Sequence, residues 1–314
     1  MLDEQAQSVE VFGAGGDRIG AWGRRGEGPG EFVGATRMHR LPGDTVVVLD
    51  RRAFRTTVFA PDGSLVRTIP AAFDFTLPPR HMPAQSCCVA LLPLDPTSSL
   101  WRYPRVWSFD GSGSRPIHTT LVRTTPAGTD TLGVFEAGAA GEWPNGVNPV
   151  VTEAFGPTAF FGVSRGRLVY GRSDYLGFEE IDLDSGRVTR RVSGTHPRIP
   201  VTDEMITASI GPSPEMTPAL RDRLRSRPRA DSMYAYADML VAPSGEVWLR
   251  SPSPLGPEAR SAYQIFAPEG EWLGEVEFPT YLWLLEIGRD YALGLARGEL
   301  DESYVELWEL ERRE

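Results

Sequence analysis

A segment near the start of this chain returns 47 residues later, and that repeat restricts the fold more than any other feature of the sequence. Residues 2–20 read LDEQAQSVEVFGAGGDRIG, and residues 49–67 read LDRRAFRTTVFAPDGSLVR. Leu2-Asp3 falls on Leu49-Asp50, Val11-Phe12 on Val58-Phe59, Gly16 on Gly63 and Ile19 on Val66. Further copies of the hairpin lie at Ile265-Phe266-Ala267-Pro268-Glu269-Gly270, at Ile181-Asp182-Leu183-Asp184-Ser185-Gly186 and around Pro126-Ala127-Gly128. Each copy is a short alternating strand, a Pro/Asp/Gly turn in which Gly supplies a positive φ, and a second short strand. Short strands recurring at this period specify a propeller array rather than a sandwich.

Reading outward from the hairpins gives an all-β chain: one six-bladed β-propeller domain over residues 1–314. The blades are expected at about 1–23, 34–70, 87–135, 157–193, 236–278 and 279–310. The second is the most regular, with strands predicted near 35–41, 45–50, 55–60 and 65–69. The first is incomplete, because Leu2-Asp3 matches the end of a second strand, and the sixth supplies three strands before Glu314. Propeller rings usually close by joining N- and C-terminal strands in one blade, which leaves no open edge. The natural protein is therefore expected to begin upstream of Met1. Residues 194–235 break the pattern and predict a short helical insertion between blades four and five. Thr202 or Asp203 would cap one helix, and Pro218 would open a second.

The length of 314 residues would suit two ordinary domains, but a propeller grows by adding blades that each bring their own core. The net charge of −10, with all 32 basic residues Arg, disfavours general nucleic-acid binding. No run approaches the roughly 20 apolar residues of a membrane helix. The first residues lack a signal peptide's basic and apolar regions. With an upstream start, the expected location is extracytoplasmic, as a periplasmic, secreted or lipid-anchored protein. Cys87 and Cys88 are adjacent and read either as two buried thiols or as a vicinal disulfide.

The stretch Gly23-Arg24-Arg25-Gly26-Glu27-Gly28-Pro29-Gly30-Glu31-Phe32 resembles the inter-blade signature of NHL-like six-bladed β-propeller proteins. The hairpin at residues 58–67 and the ending Tyr291-Ala292-Leu293-Gly294-Leu295 are similar to that group as well. The resemblance implies the fold and an extracytoplasmic setting, and it assigns no activity. Within the signature, Gly26, Gly28 and Gly30 let the backbone turn while Phe32 is expected to pack between blades. It is not a nucleotide loop, since no helix follows Gly30.

No catalytic constellation is recognisable. A Gly-x-Ser-x-Gly elbow before a helix is missing. Among the histidines His39, His81, His118 and His196, a zinc site from His39, His81 and His196 is topologically conceivable. Glu142, Asn145, Asn148 and Glu153 could contribute to a calcium site, or belong to a turn-rich connector. No cofactor is expected beyond these Ca and Zn options. Most tryptophans fall in strand patterns and read as packing, whereas Trp101, Tyr103 and Trp107 could stack on a sugar or peptide. The resulting expectation is a monomeric, non-catalytic propeller that binds a protein or small molecule on the face carrying the inter-blade connectors. Its binding residues would be Arg24, Arg25, Glu27, Arg37, His39 and Asp238, chosen by position on connectors and inner strands. The alternative is a metal-dependent lactonase- or lyase-type hydrolase in the central channel.

Overall fold

A computed structural model describes residues 1–13, 15–70, 90–105, 115–141, 151–211, 216–252, 260–279, 282–298 and 302–311. The chain is a six-bladed β-propeller, built of six antiparallel sheets met in sequence order. The first sheet has three strands, β1 (Leu2–Asp3), β2 (Ser8–Phe12) and β3 (Arg18–Trp22). A parallel pair, β4 (Arg24–Arg25) and β5 (Glu31–Phe32), then lies inside the connector that the sequence predicted without strands. The second sheet is β6 (Ala35–Arg40), β7 (Val46–Asp50), β8 (Arg55–Phe59) and β9 (Leu65–Pro70), close to the four predicted strands.

The third sheet is β10 (Ala90–Asp95), β11 (Ser98–Arg105), β12 (Arg115–Thr125), β13 (Gly128–Gly141) and β14 (Val151–Thr152). It extends past residue 135, the expected end of the third blade, because β13 runs on to Gly141 and β14 adds a fifth strand. The fourth sheet is β15 (Ala159–Ser164), β16 (Arg167–Arg172), β17 (Gly177–Asp182) and β18 (Val188–Ser193). The fifth is β19 (Asp238–Val241), β20 (Val247–Arg250), β21 (Arg260–Phe266) and β22 (Trp272–Pro279). The sixth is β23 (Trp283–Ile287), β24 (Tyr291–Arg297) and β25 (Ser303–Glu309). Between the fourth and fifth stand α1 (Asp203–Ile210) and α2 (Pro218–Arg225). Thr202 caps α1 by accepting the Met205 N–H at 3.3 Å, and Thr217 caps α2 just before Pro218.

Two compact units can be distinguished, residues 1–106 with 119–134, and residues 107–118 with 135–314. In the first unit, every residue of β7 is buried, as its Val-Val-Val-Leu run requires of a strand covered on both faces. Phe32 is fully buried with Val9, Val46, Val48 and Phe59, so the connector aromatic does pack between the first two sheets. A second cluster joins Val47, Leu49 and Val58 to Trp101 and Tyr103. The last two are 2 % and 6 % exposed. This corrects the expectation of ligand stacking, because rings closed inside a core present no face to a ligand. Trp107 lies outside the described residues. In the second unit, Val169, Phe178, Tyr236, Leu249 and Phe266 fill the space between the fourth and fifth sheets, and Trp248, Tyr263, Phe278 and Leu284 the space between the fifth and sixth.

The repeated hairpins share one geometry. Ala60 N–H donates to Ser64 O and Gly63 N–H to Ala60 O, and Ala267, Glu271 and Gly270 repeat both bonds. A bulge precedes each, at Val58/Phe59 and at Ile265/Phe266. The glycine closes the turn with φ near +83° at Gly63 and +89° at Gly270. It also makes room for the preceding sheet. A Cβ on Gly63 would meet the Trp22 indole at 2.2 Å, and one on Gly270 would meet Val192 at 2.7 Å. The strand-end motif repeats too: Asp3 accepts the N–H groups of Gln5 and Ala6, and Asp50 those of Arg52 and Ala53. Asp50 is fully buried and also accepts from Val33 at 2.8 Å and Gly34 at 3.1 Å.

Gly43 has φ near +78° with open space around it, so it separates backbone strain from close approach. Gly43→Ala should cost about 1 kcal/mol from the left-handed backbone alone. Gly63→Ala should cost about 3 kcal/mol, because displacement of the Trp22 indole adds to the same strain. Urea unfolding of both variants beside the parent checks this, and equal costs would refute the role given to close approach.

Candidate functional site

In each four-stranded meander the first and third turns lie at one end, while the second turn and the entering connector lie at the other. The sequence placed its site at the connector end. In the first unit the connector is held by its own charged groups and by an arginine of β8. Arg24 Nε donates to Glu31 Oε1 at 2.8 Å, and Glu31 Oε2 accepts the Gly28 N–H at 2.9 Å. Arg25 donates to Gln5 O at 2.7 Å. Arg55 reaches in from β8 to the carbonyl oxygens of Glu27, Gly28 and Glu31. Together these bonds fold the glycine-rich loop against the second sheet. Arg37 and His39 sit two residues apart on β6, and so on one face of it, Arg37 exposed and His39 half-buried.

Asp238, the sixth predicted residue, lies in the second unit, and there the structure brings more together. It opens β19 directly opposite Arg250, the last residue of β20. The ladder continues one step further, with Ala237 N–H donating to Arg250 O at 2.7 Å. Asp238 Oδ1 accepts the Met239 N–H at 2.8 Å. Burial pushes the Asp238 carboxyl above its ordinary value, against the opposing pull of that N–H and of the Arg250 charge. The Arg250 guanidinium lies over the indole of Trp283, the first residue of β23, at 4.2 Å from the ring centroid. Its Nε is buried without a hydrogen-bond partner among the described residues.

The insertion supplies the neighbouring wall. Its returning leg is stitched to the β-structure by Ala154 N–H to Pro228 O, Ala230 N–H to Ala154 O and Ala235 N–H to Ser173 O. Those bonds hold Tyr234 against Phe155, with ring centroids 6.2 Å apart and planes 26° off parallel. Burial raises the Tyr234 phenol, and the Arg250 charge acts the other way. The result is a cation held on an indole face, a half-buried carboxyl and a phenol at the connector end of one unit. Such a group can take a planar acceptor on the guanidinium and a second polar group on Asp238, with ring surface to cover the ligand.

Arg250 and Trp283 escaped the sequence reading. Trp283 is 49 % exposed, and Trp272, on the outer strand of the fifth sheet, is 57 % exposed, although both fall in strand patterns that read as packing. Trp248 alone of these three is buried. An arginine closing the run Val-Trp-Leu-Arg at the connector end was the available signal.

Among the described residues, no three His, Cys, Asp or Glu side chains come together in a group that could hold a metal ion. His81, Cys87, Cys88, Glu142, Asn145 and Asn148 lie outside the described residues. His39 and His196 belong to different units. Among the described residues, no helix is long and apolar enough to cross a membrane.

No family model matches the chain, and no curated protein does. Solved structures do. A member of the DUF4221 family from Bacteroides vulgatus aligns with a TM-score of 0.52 at 9 % identity, over 96 % of this chain and 86 % of that one. A protein of Bacteroides fragilis thought to be exported aligns at 0.46 and 13 % identity, over 94 % and 75 %. Virginiamycin B lyase from Staphylococcus aureus aligns at 0.41 and 11 % identity, over 98 % and 90 %. At 9 % identity the likeness to the DUF4221 member is one of fold.

Because burial raises the folded-state value of Asp238, its contribution to stability is fully present below the unfolded value near 3.8 and is lost as pH rises through the folded one. Asp238→Asn removes that loss. The variant should melt above the parent at pH 7, and its advantage should disappear as pH falls below about 4. Melting curves across that range test the assignment, and a pH-independent difference would contradict it.

Proposed function

We propose that this propeller is a non-catalytic binding protein acting outside the cytoplasm, with its ligand taken at the connector end of the fifth and sixth sheets. One observation carries the reading: the Arg250 guanidinium rests on the half-exposed Trp283 indole beside the half-buried Asp238. A structural arginine would be expected to spend its donors on protein acceptors, as Arg55 does in the first unit. Arg250 is instead oriented by a ring, which fixes the plane of the guanidinium without consuming its terminal N–H groups. The ligand class that suits this arrangement is a small molecule or peptide bearing a carboxylate or similar planar acceptor beside a hydrogen-bonding group. Tyr234 would close over it from the insertion. The extracytoplasmic setting comes from the resemblance to NHL-like proteins.

Arg24 and Arg25 take the supporting role in this proposal, since their hydrogen bonds fold the connector. Arg37 and His39 remain candidate contacts of the first unit.

A thermal-shift screen of short peptides and organic acids, followed by calorimetry of the hits, tests the site. Arg250→Ala and Trp283→Ala should each weaken a hit about tenfold or more, as loss of a charge-assisted contact does. Hits that bind both variants as tightly as the parent would dispose of the reading.

A further inference from the structure

A second feature stands at the opposite end of the fourth and fifth sheets. Between the first turns of the fourth and fifth sheets and the third turn of the fifth lies a cleft of about 140 Å³. At about 30 Å³ per water, it would hold a handful of water molecules or one small ion. Its walls carry three guanidinium groups, Arg165, Arg167 and Arg190, against the carboxylates of Glu180 and Glu269. For a chain of net charge −10, that is a local reversal of sign.

The three arginines are not equivalent. Glu180 is 5 % exposed, and one of its oxygens accepts from Arg167 at 2.6 Å while the other lies 3.6 Å from Arg190. Arg190 also donates to Pro268 O at 2.5 Å and so fastens the fourth sheet to the fifth. These two arginines and Glu180 form the floor. Arg165 stands above them, exposed, with no hydrogen bond or ion pair among the described residues.

Its backbone is unusual as well. Arg165 and Gly166 are the two central residues of the β15–β16 hairpin, with φ near +51° and +71°. Both positions of such a turn favour Asn, Asp or Gly, because other side chains are strained there. The chain places a long cationic side chain at a position whose backbone disfavours it. Across the cleft Gly245 has no side chain, and a Cβ there would come within 3.2 Å of Arg165 Cδ and Nε. The arginine therefore lies flat over the turn of the next sheet and delivers its charge to the cleft.

We propose that this cleft is a binding site for a small oxyanion, a carboxylate or phosphate group, held between Arg165 and the free N–H groups of Arg167 and Arg190. The guanidinium fork suits either group. Glu180 keeps Arg167 and Arg190 in place, so the anion meets two anchored donors and, in Arg165, one without a partner among the described residues. Long-range repulsion from the acidic chain means that binding depends on this local geometry.

The test uses Arg165→Asn, which removes the guanidinium and supplies a residue the turn prefers, so the fold should hold or gain in melting temperature. Calorimetry at low salt with inorganic phosphate and, separately, with acetate measures the affinity of the whole chain for each anion and distinguishes the two sources. The parent should bind at least one, and Arg165→Asn should weaken that binding roughly tenfold or more. Arg198→Asn, an equal charge change on the connector outside the cleft, should leave it unaltered. The proposal is overturned if the parent binds neither anion, if Arg165→Asn binds as the parent does, or if both variants lose affinity equally.

Discussion

The hairpin glycine is the constraint on which the arrangement of neighbouring sheets depends. At Gly63 and Gly270 the same residue meets two demands that no side chain could meet together. Positive φ lets the third strand turn back after its bulge, which sets whether Phe59 and Phe266 face the core. The missing Cβ then lets the outer strand of the preceding sheet lie directly on the turn, through Trp22 in one unit and Arg190 and Val192 in the other. In the second unit the same bare turn lies beside the cleft, since Arg190, which donates to Pro268 O, also packs close to Gly270.

Among the described residues, buried carboxyl groups are held in contrasting ways. Asp50 is fully buried and accepts four backbone N–H groups, and Glu180 divides its oxygens between two arginines. Removing either partner set would strand a charge away from water, so these groups hold the fold together. Asp238 and Arg250 differ. The carboxyl has one short bond to its own backbone, and burial outweighs the stabilisation it receives. The guanidinium is placed by a ring face. Polar groups that the fold positions but does not fully satisfy retain capacity for a ligand, and this contrast separates the candidate site from the scaffold more sharply than exposure does.

Much of the fold was legible because it is encoded locally and repeated. Aligning 2–20 with 49–67 located the turns, the strand lengths of the second sheet and the shortness of the first. The Thr202 cap and Pro218 helix start were readable for the same reason, since capping involves residues three apart. The site was less legible. Asp238 was chosen from its place on an inner strand, but Arg250 and Trp283 gain their meaning from each other, across two sheets and 33 residues of chain. Neither has a periodic signature. Trp101 and Tyr103 failed in the opposite direction: they read as rings that could stack on a ligand, while packing against Val47, Leu49 and Val58 made them core.

The two ends of the fourth-to-sixth sheets use arginine in related ways. Each presents a guanidinium oriented by something other than a carboxylate, Arg250 by an indole and Arg165 by a strained turn beside a bare glycine. A chain without lysine has only this cation to use, and the planar group makes orientation matter. An ammonium could be satisfied from any direction. A guanidinium held in a fixed plane selects the acceptors that meet it edge-on, so such sites can favour carboxylates and phosphates even where the net charge of the molecule repels them. The propeller supplies what this requires: rigid strand ends that set the plane, and turns that can be changed without disturbing the sheets behind them.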